Sequence, residues 1–287
     1  MTGIIDPAAS LGCVALTVAD LELQAAFYRN AIGLHELRRS EDTVELGAPG
    51  GDALVTLVGR PAAPPRPPRT TGLFHLALLV PSRSELARAL RRVTAAGHGF
   101  TGASDHLVSE ALYLDDPEGN GLEIYRDRPR EEWRYEDGAL EMGTLPLDVD
   151  GVIASDPSPN GGIDEGMATG SRIGHVHLQV ATIPAAEEFY VGALGFEPTV
   201  RAYPGVLFVS AGGYHHHLGL NTWAGRGAPP PPSGSRGLRS FTVILSNKEE
   251  LARTVAAVAD GGVEPIEEDG QLVVTDPFGN RAALTAR

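Results

Sequence analysis

Nine histidines, one isolated glutamate and one tyrosine carry most of the chemistry open to this chain of 287 residues. The histidines are His35, His75, His98, His106, His175, His177 and the run His215-His216-His217. Glu123 stands between Leu122 and Ile124, in a stretch apolar enough to be a buried strand. An unpaired carboxylate is costly to bury, so it calls for a metal, a cation or solvent. A lone histidine on an apolar strand is more often packed or solvated than ligating. Two histidines joined by one carboxylate on one face, however, are the set that holds non-haem Fe(II) with positions left open for substrate and dioxygen. If residues 215–217 are a strand, period-two alternation puts His215 and His217 on one face and His216 on the other. An imidazole titrates near pH 6.5 when unperturbed, so such a pair could accept and return a proton near neutrality. His177 shares a strand face with His175, which makes it an alternate ligand or a neighbour of one. Cys13 is the single cysteine; in an apolar strand it reads as a small buried hydrophobe, and alone it forms no internal disulfide.

The elements that must position these groups recur. Phe27-Tyr28-Arg29-Asn30-Ala31-Ile32-Gly33-Leu34 returns as Phe189-Tyr190-Val191-Gly192-Ala193-Leu194-Gly195-Phe196. Cys13-Val14-Ala15-Leu16-Thr17-Val18 likewise returns as His175-Val176-His177-Leu178-Gln179-Val180, at the same offset of 162 residues. Asp115-Asp116-Pro117-Glu118-Gly119-Asn120 is echoed by Thr275-Asp276-Pro277-Phe278-Gly279-Asn280. The halves are therefore duplicates, and hydropathy patterning divides each into two modules of about 50 residues, a strand, then a helix, then short strands. First strands are expected at 13–18, 74–80, 175–180 and 240–245, and helices from about 20, at 84–96, at 185–193 and at 248–259. Later strands are expected at 44–46, 53–58, 111–114, 122–125, 206–210, 214–221, 271–274 and 281–285. Proline-rich connectors, 61–68 and 228–235, separate the modules within each half. The division expected is a first domain over 9–127, a linker over 128–170 with Trp133 and Tyr135 as its anchors, and a second domain over 171–287.

Four βαβββ modules, each helix ending in Phe-Tyr-x-x-x-(Leu/Ile)-Gly or each last strand preceded by Asp-Pro-x-Gly-Asn, resemble the vicinal oxygen chelate superfamily of glyoxalases, bleomycin resistance proteins and dioxygenases. Gly174-His175-Val176-His177, Gly213-Tyr214-His215-His216-His217 and Gly119-Asn120-Gly121-Leu122-Glu123-Ile124-Tyr125 are most similar to extradiol enzymes of the catechol 2,3-dioxygenase type. The resemblance implies an α+β fold in which curved mixed sheets of two domains enclose a metal cup, with ligands from first and last strands. Equivalent first-strand positions are Cys13, His75, His175 and Ser240, and equivalent last-strand positions in modules two and four are Glu123 and Ala283. Neither half holds a full set alone; His75, His175 and Glu123 together do. The resemblance further implies that His217 moves protons with His215 close by, that Tyr113, ten residues before Glu123, hydrogen-bonds to the bound substrate, and that His106 stands at the pocket mouth. His35 and His98 read as solvated.

Charge narrows the partners. A net charge of −14 repels nucleic acid and anionic membrane surfaces, and no apolar run approaches the roughly 20 residues of a membrane span. The start MTGIIDPAAS lacks a secretory signal pattern, so the expected compartment is the cytoplasm. The expected activity is ring cleavage of catechol or a related vicinal diol by O2, dependent on Fe(2+), with Mn(2+) equally compatible with the ligand set. The partners are then a small aromatic diol and O2, and a homo-oligomer is left open. Two other readings use the same modules: a glyoxalase-like metal-dependent isomerase or transferase, and a protein that holds an aromatic ligand without turnover.

Overall fold

The computed structural model describes residues 4–158, 166–201, 203–268 and 270–287. The chain divides into two compact units: a leading unit, Leu16–Pro64 with His75–Ile173, and a trailing unit, Met1–Ala15 with Pro65–Phe74 and Gly174–Arg287. Among the described residues no helix is long and apolar enough to cross a membrane.

The first module runs β1 (Ser10–Val18), α1 (Leu21–Phe27), β2 (His35–Arg39), β3 (Thr43–Gly47) and β4 (Ala53–Gly59). The second runs β5 (Gly72–Leu79), α2 (Arg83–Ala95), β6 (Gly102–Asp105), β7 (Ser109–Asp115) and β8 (Gly121–Asp127). In the leading unit the strands lie in the orders β4-β3-β2 and β6-β7-β8-β5. The βαβ crossover makes β5 and β8 parallel, whereas β6, β7 and β8 are antiparallel. Ser82 caps α2 by accepting from the Glu85 N–H, and Leu86, Ala89 and Val93 form its buried stripe. Residues on both faces of β5 are buried, which accounts for its nearly continuous apolar run.

The segment after β8 belongs to the leading unit. A short hairpin, β9 (Tyr135–Glu136) with β10 (Ala139–Leu140), precedes β11 (Leu145–Pro146), which pairs with β6, and α3 (Val149–Ala154). Trp133 is buried and its indole N–H donates to the Arg128 carbonyl at 3.0 Å. Tyr135 is 60% exposed, so it does not share the anchoring role expected of it. Asp156 accepts from Arg91 at 2.8 Å and Arg88 at 3.4 Å, holding the end of α3 to α2.

In the trailing unit the third module runs β12 (Arg172–Gln179), α4 (Ile183–Glu187), β13 (Glu197–Val200), β14 (Val206–Ser210) and β15 (Leu218–Asn221), with order β12-β15-β14-β13. The fourth runs β16 (Gly237–Leu245), α5 (Lys248–Asp260), β17 (Ile266–Glu268), β18 (Gln271–Thr275) and β19 (Arg281–Ala286), with order β16-β19-β18-β17. The fold is α+β with mixed sheets, as the resemblance implies.

The two kinds of sequence repeat are one device in three dimensions. Tyr28 and Tyr190 lie in short π-helical turns, Tyr28–Ile32 and Glu188–Ala193, that continue α1 and α4. Each donates its hydroxyl to the aspartate of the repeated turn: Tyr28 to Asp116 at 3.3 Å and Tyr190 to Asp276 at 2.9 Å. Each aspartate also accepts from the asparagine four residues on, at 2.8 Å. Gly33 and Gly195, at φ +86° and +83°, end the two turns in a conformation that strains other residues.

Candidate metal centre

The leading unit brings four of the expected residues into one chain of contacts. Tyr113 and Glu123 face each other across the β7/β8 ladder, and Ala77 is the parallel partner of Glu123, so His75, two residues earlier, shares their face. His75 Nε2 lies 3.0 Å from Glu123 Oε2, with both side chains buried. Tyr113 donates to the Glu123 carboxylate or to His106, whose Nε2 is 2.6 Å from its Oη. Burial, with the Glu123 charge beside it, pushes the Tyr113 phenol far above its ordinary range, so it stays protonated and remains a donor. Along the same face Ala77, Leu79, Ala111 and Tyr125 pack into an apolar floor with Tyr113 at its edge. The polar groups thus sit at one end of an apolar bed.

In the trailing unit His175 and His177 are buried on β12. His177 is walled by Phe74, Phe208 and Trp223 at ring distances of 5.2, 5.7 and 5.3 Å. Gly219 lies beneath it, so close that a Cβ there would meet the imidazole at 2.8 Å. The three consecutive histidines lie in the loop before β15, because Gly212 and Gly213 both take positive φ and delay the strand expected from 214 to Leu218. Side-chain alternation therefore does not apply to them. His216 stacks on Phe208 with ring planes 18° apart and comes within 4.2 Å of the His175 ring, while His215 is 6.3 Å from it. His215 and His216 share a hydrogen bond between their Nδ1 atoms at 2.8 Å. The Ala211 N–H donates to His217 Nδ1 at 3.1 Å, closing the turn.

The family model of the glyoxalase/bleomycin resistance protein/dioxygenase superfamily matches residues 10–124 and 172–284, one match in each half. The chain belongs to this superfamily. A relative named catechol-2,3-dioxygenase, from Bacillus subtilis (strain 168), is 43% identical over 277 residues, 93% of each chain. A Bacillus subtilis structure described as a "putative dioxygenase" superposes with a TM-score of 0.66 at 13% identity, covering 98% of this chain and 86% of that one. Glyoxalase I from Zea mays gives 0.58 at 15% identity, covering 96% and 92%. At such identities the structural likenesses establish the fold alone.

Within the superfamily fold, this sequence distributes its histidines unevenly. His35 lies exposed on β2, and His98 is exposed with its ring 4.8 Å from that of Phe27. A cavity of about 660 Å³ opens at the far end of β12, beside Ala181, Ile183, Arg201, Tyr203, Leu207 and Arg226. No histidine lines it, so this cavity and the candidate chemistry lie apart. His216, which alternation would turn away, stands beside His175; the adjacent glycine pair before it was the signal for a turn instead of a strand.

Proposed function

We propose that the chain is a metal-dependent extradiol dioxygenase that cleaves the ring of catechol or a related vicinal diol next to the diol, with O2, to a semialdehyde. The observation that carries this reading is the buried His75–Glu123 pair, 3.0 Å apart, at the end of an apolar floor. Such a carboxylate in an apolar sheet face is what a divalent cation makes affordable to bury. The ligand set proposed is the one that the resemblance implies, His75, Glu123 and His175, and each of the three side chains is buried. Two imidazoles and a carboxylate suit Fe(II), and Mn(II) as well. Such a cation supplies open positions for two vicinal oxygens and for dioxygen. The name of the Bacillus subtilis relative supports the same activity.

The remaining roles fall to this chain's own groups. The apolar floor of Ala77, Leu79, Ala111 and Tyr125 takes a flat hydrocarbon ring and excludes water. The protonated Tyr113 phenol is a donor at the edge of that floor. Acid–base work is placed on the 215–217 loop: on His217 by the resemblance, and on His215, with His216, by nearness to His175. His106 supports Tyr113. The reading includes a cytoplasmic site of action.

The test is incubation of anaerobically purified protein, reloaded with ferrous iron, with catechol under air. A yellow ring-cleavage product and matching oxygen uptake are expected, both lost in Glu123→Gln. Iron-loaded protein that consumes no oxygen with any of several catechols would exclude the activity, and failure of Glu123→Gln to lower bound metal would exclude the ligand set.

A further inference from the structure

We propose that the main-chain carbonyl of Gly143, on the segment joining the two halves, holds the proton of neutral His106 on Nδ1 and so leaves Nε2 as an acceptor for the Tyr113 phenol. His106 Nδ1 lies 2.6 Å from the Gly143 oxygen, an atom that can only accept, so Nδ1 must carry a hydrogen. A neutral imidazole has one N–H, hence Nε2, 2.6 Å from Tyr113 Oη, presents a lone pair and receives the phenol proton. That phenol has one proton and two acceptors, His106 Nε2 and the Glu123 carboxylate. In the opposite tautomer Nε2–H would donate to Tyr113 Oη, and the phenol proton would turn to Glu123. The linker carbonyl thus sets whether Tyr113 draws on the carboxylate's electron density or leaves it available.

The contact is built, and not a chance approach of two loops. The Gly143 N–H returns a bond to the His106 carbonyl at 3.3 Å, so the two residues are joined through both main chain and side chain. Two residues on, β11 pairs Leu145 with Asp105 and Pro146 with Ser104, which brings Gly143 back over the turn. The turn itself is strained: Leu107 sits at φ +69°, a left-handed conformation that disfavours a bulky residue. The Asp105 carboxylate accepts from the Leu107 N–H at 2.9 Å and from Arg128 at 2.7 Å, and the His106 N–H donates to Ser109 O at 2.8 Å. His106 is in these terms a positioning residue that acts through Tyr113. Its meaning for turnover rests on the proposed function; its tautomer is a property of the leading unit and stands apart from it.

The experiment is long-range 1H–15N correlation NMR at neutral pH on metal-free protein carrying 15N-labelled histidine, with His106 assigned by its loss in His106→Asn. The expected result is a protonated Nδ1 and an unprotonated Nε2 in the folded wild type. An Nε2–H tautomer, or a ring protonated at both nitrogens, overturns the proposal. A second variant, with one glycine inserted between Met142 and Gly143, displaces the carbonyl; its His106 is expected to move towards the Nε2–H form. Persistence of the Nδ1–H form in that variant, folded by the same spectrum, would remove Gly143 from the argument. If no metal or turnover is found, the tautomer result is unaffected and the proposed function alone fails.

Discussion

His215, His216 and His217 are neighbours in sequence with three different surroundings. His217 receives the Ala211 N–H on Nδ1, His216 stacks on Phe208 beside His175, and His215 bonds to His216. Proton transfer by a positioned imidazole contributes roughly 10²–10⁴-fold in rate. If the loop moves the proton, one of His215→Gln and His217→Gln lowers kcat with catechol by about that factor at unchanged KM, whereas His217→Gln also lowers thermal stability through its lost turn bond. Equal, small losses in both single variants would take the acid–base role away from these two histidines. A neighbouring position gives a steric prediction: Gly219→Ala pushes a methyl into the His177 ring, at 2.8 Å before relaxation, and should cost about 1–3 kcal/mol in chemical denaturation. The three histidines were visible in sequence as acid–base candidates. Their individual orientations were not, because two glycines at positive φ convert a strand into a turn and cancel the alternation rule.

At the scale of elements, the Phe-Tyr and Asp-Pro-x-Gly-Asn repeats were legible as duplicated signals but not as partners. Nothing in their spacing of more than 80 residues says that a phenol on a π-turn donates to an aspartate in a distant loop, since that pairing depends on how β-strands close around the helix. The bond fixes a pH response. Burial and the neighbouring aspartate push both Tyr28 and Tyr190 well above their ordinary range near 10, as desolvation disfavours the phenolate. A proton held more tightly when folded contributes stability that is fully present below the unfolded value and is lost as pH rises from about 10 towards the folded value. Equilibrium unfolding should therefore show a steep alkaline loss of stability, shallower in Tyr28→Phe and Tyr190→Phe. Each substitution should itself cost about 1–3 kcal/mol near neutrality, because a buried carboxylate loses a donor. An alkaline limb unchanged in both variants would mean that other groups set it.

At the scale of the molecule, duplication and module order were present in the sequence, because hydropathy period and turn residues are local properties, and the α+β class followed from the family resemblance that those modules carry. The grouping of residues 128–158 with the leading unit was not, since it depends on Asp156 reaching two arginines of α2 and on a two-residue strand, β11, too short to leave a pattern. One consequence of where the two tryptophans fall is optical. The chain has two, one in each unit: Trp133 is 7% exposed, with its indole N–H bonded to a carbonyl, and Trp223 is 56% exposed against Phe74. Their emission should therefore be separable, blue-shifted and poorly quenched by acrylamide for Trp133, red-shifted and readily quenched for Trp223. Single-tryptophan variants, Trp133→Phe and Trp223→Phe, then give each unit its own fluorescent reporter. Coincident denaturation midpoints would identify one cooperative transition, and separated midpoints would show that the duplicated halves melt as independent bodies.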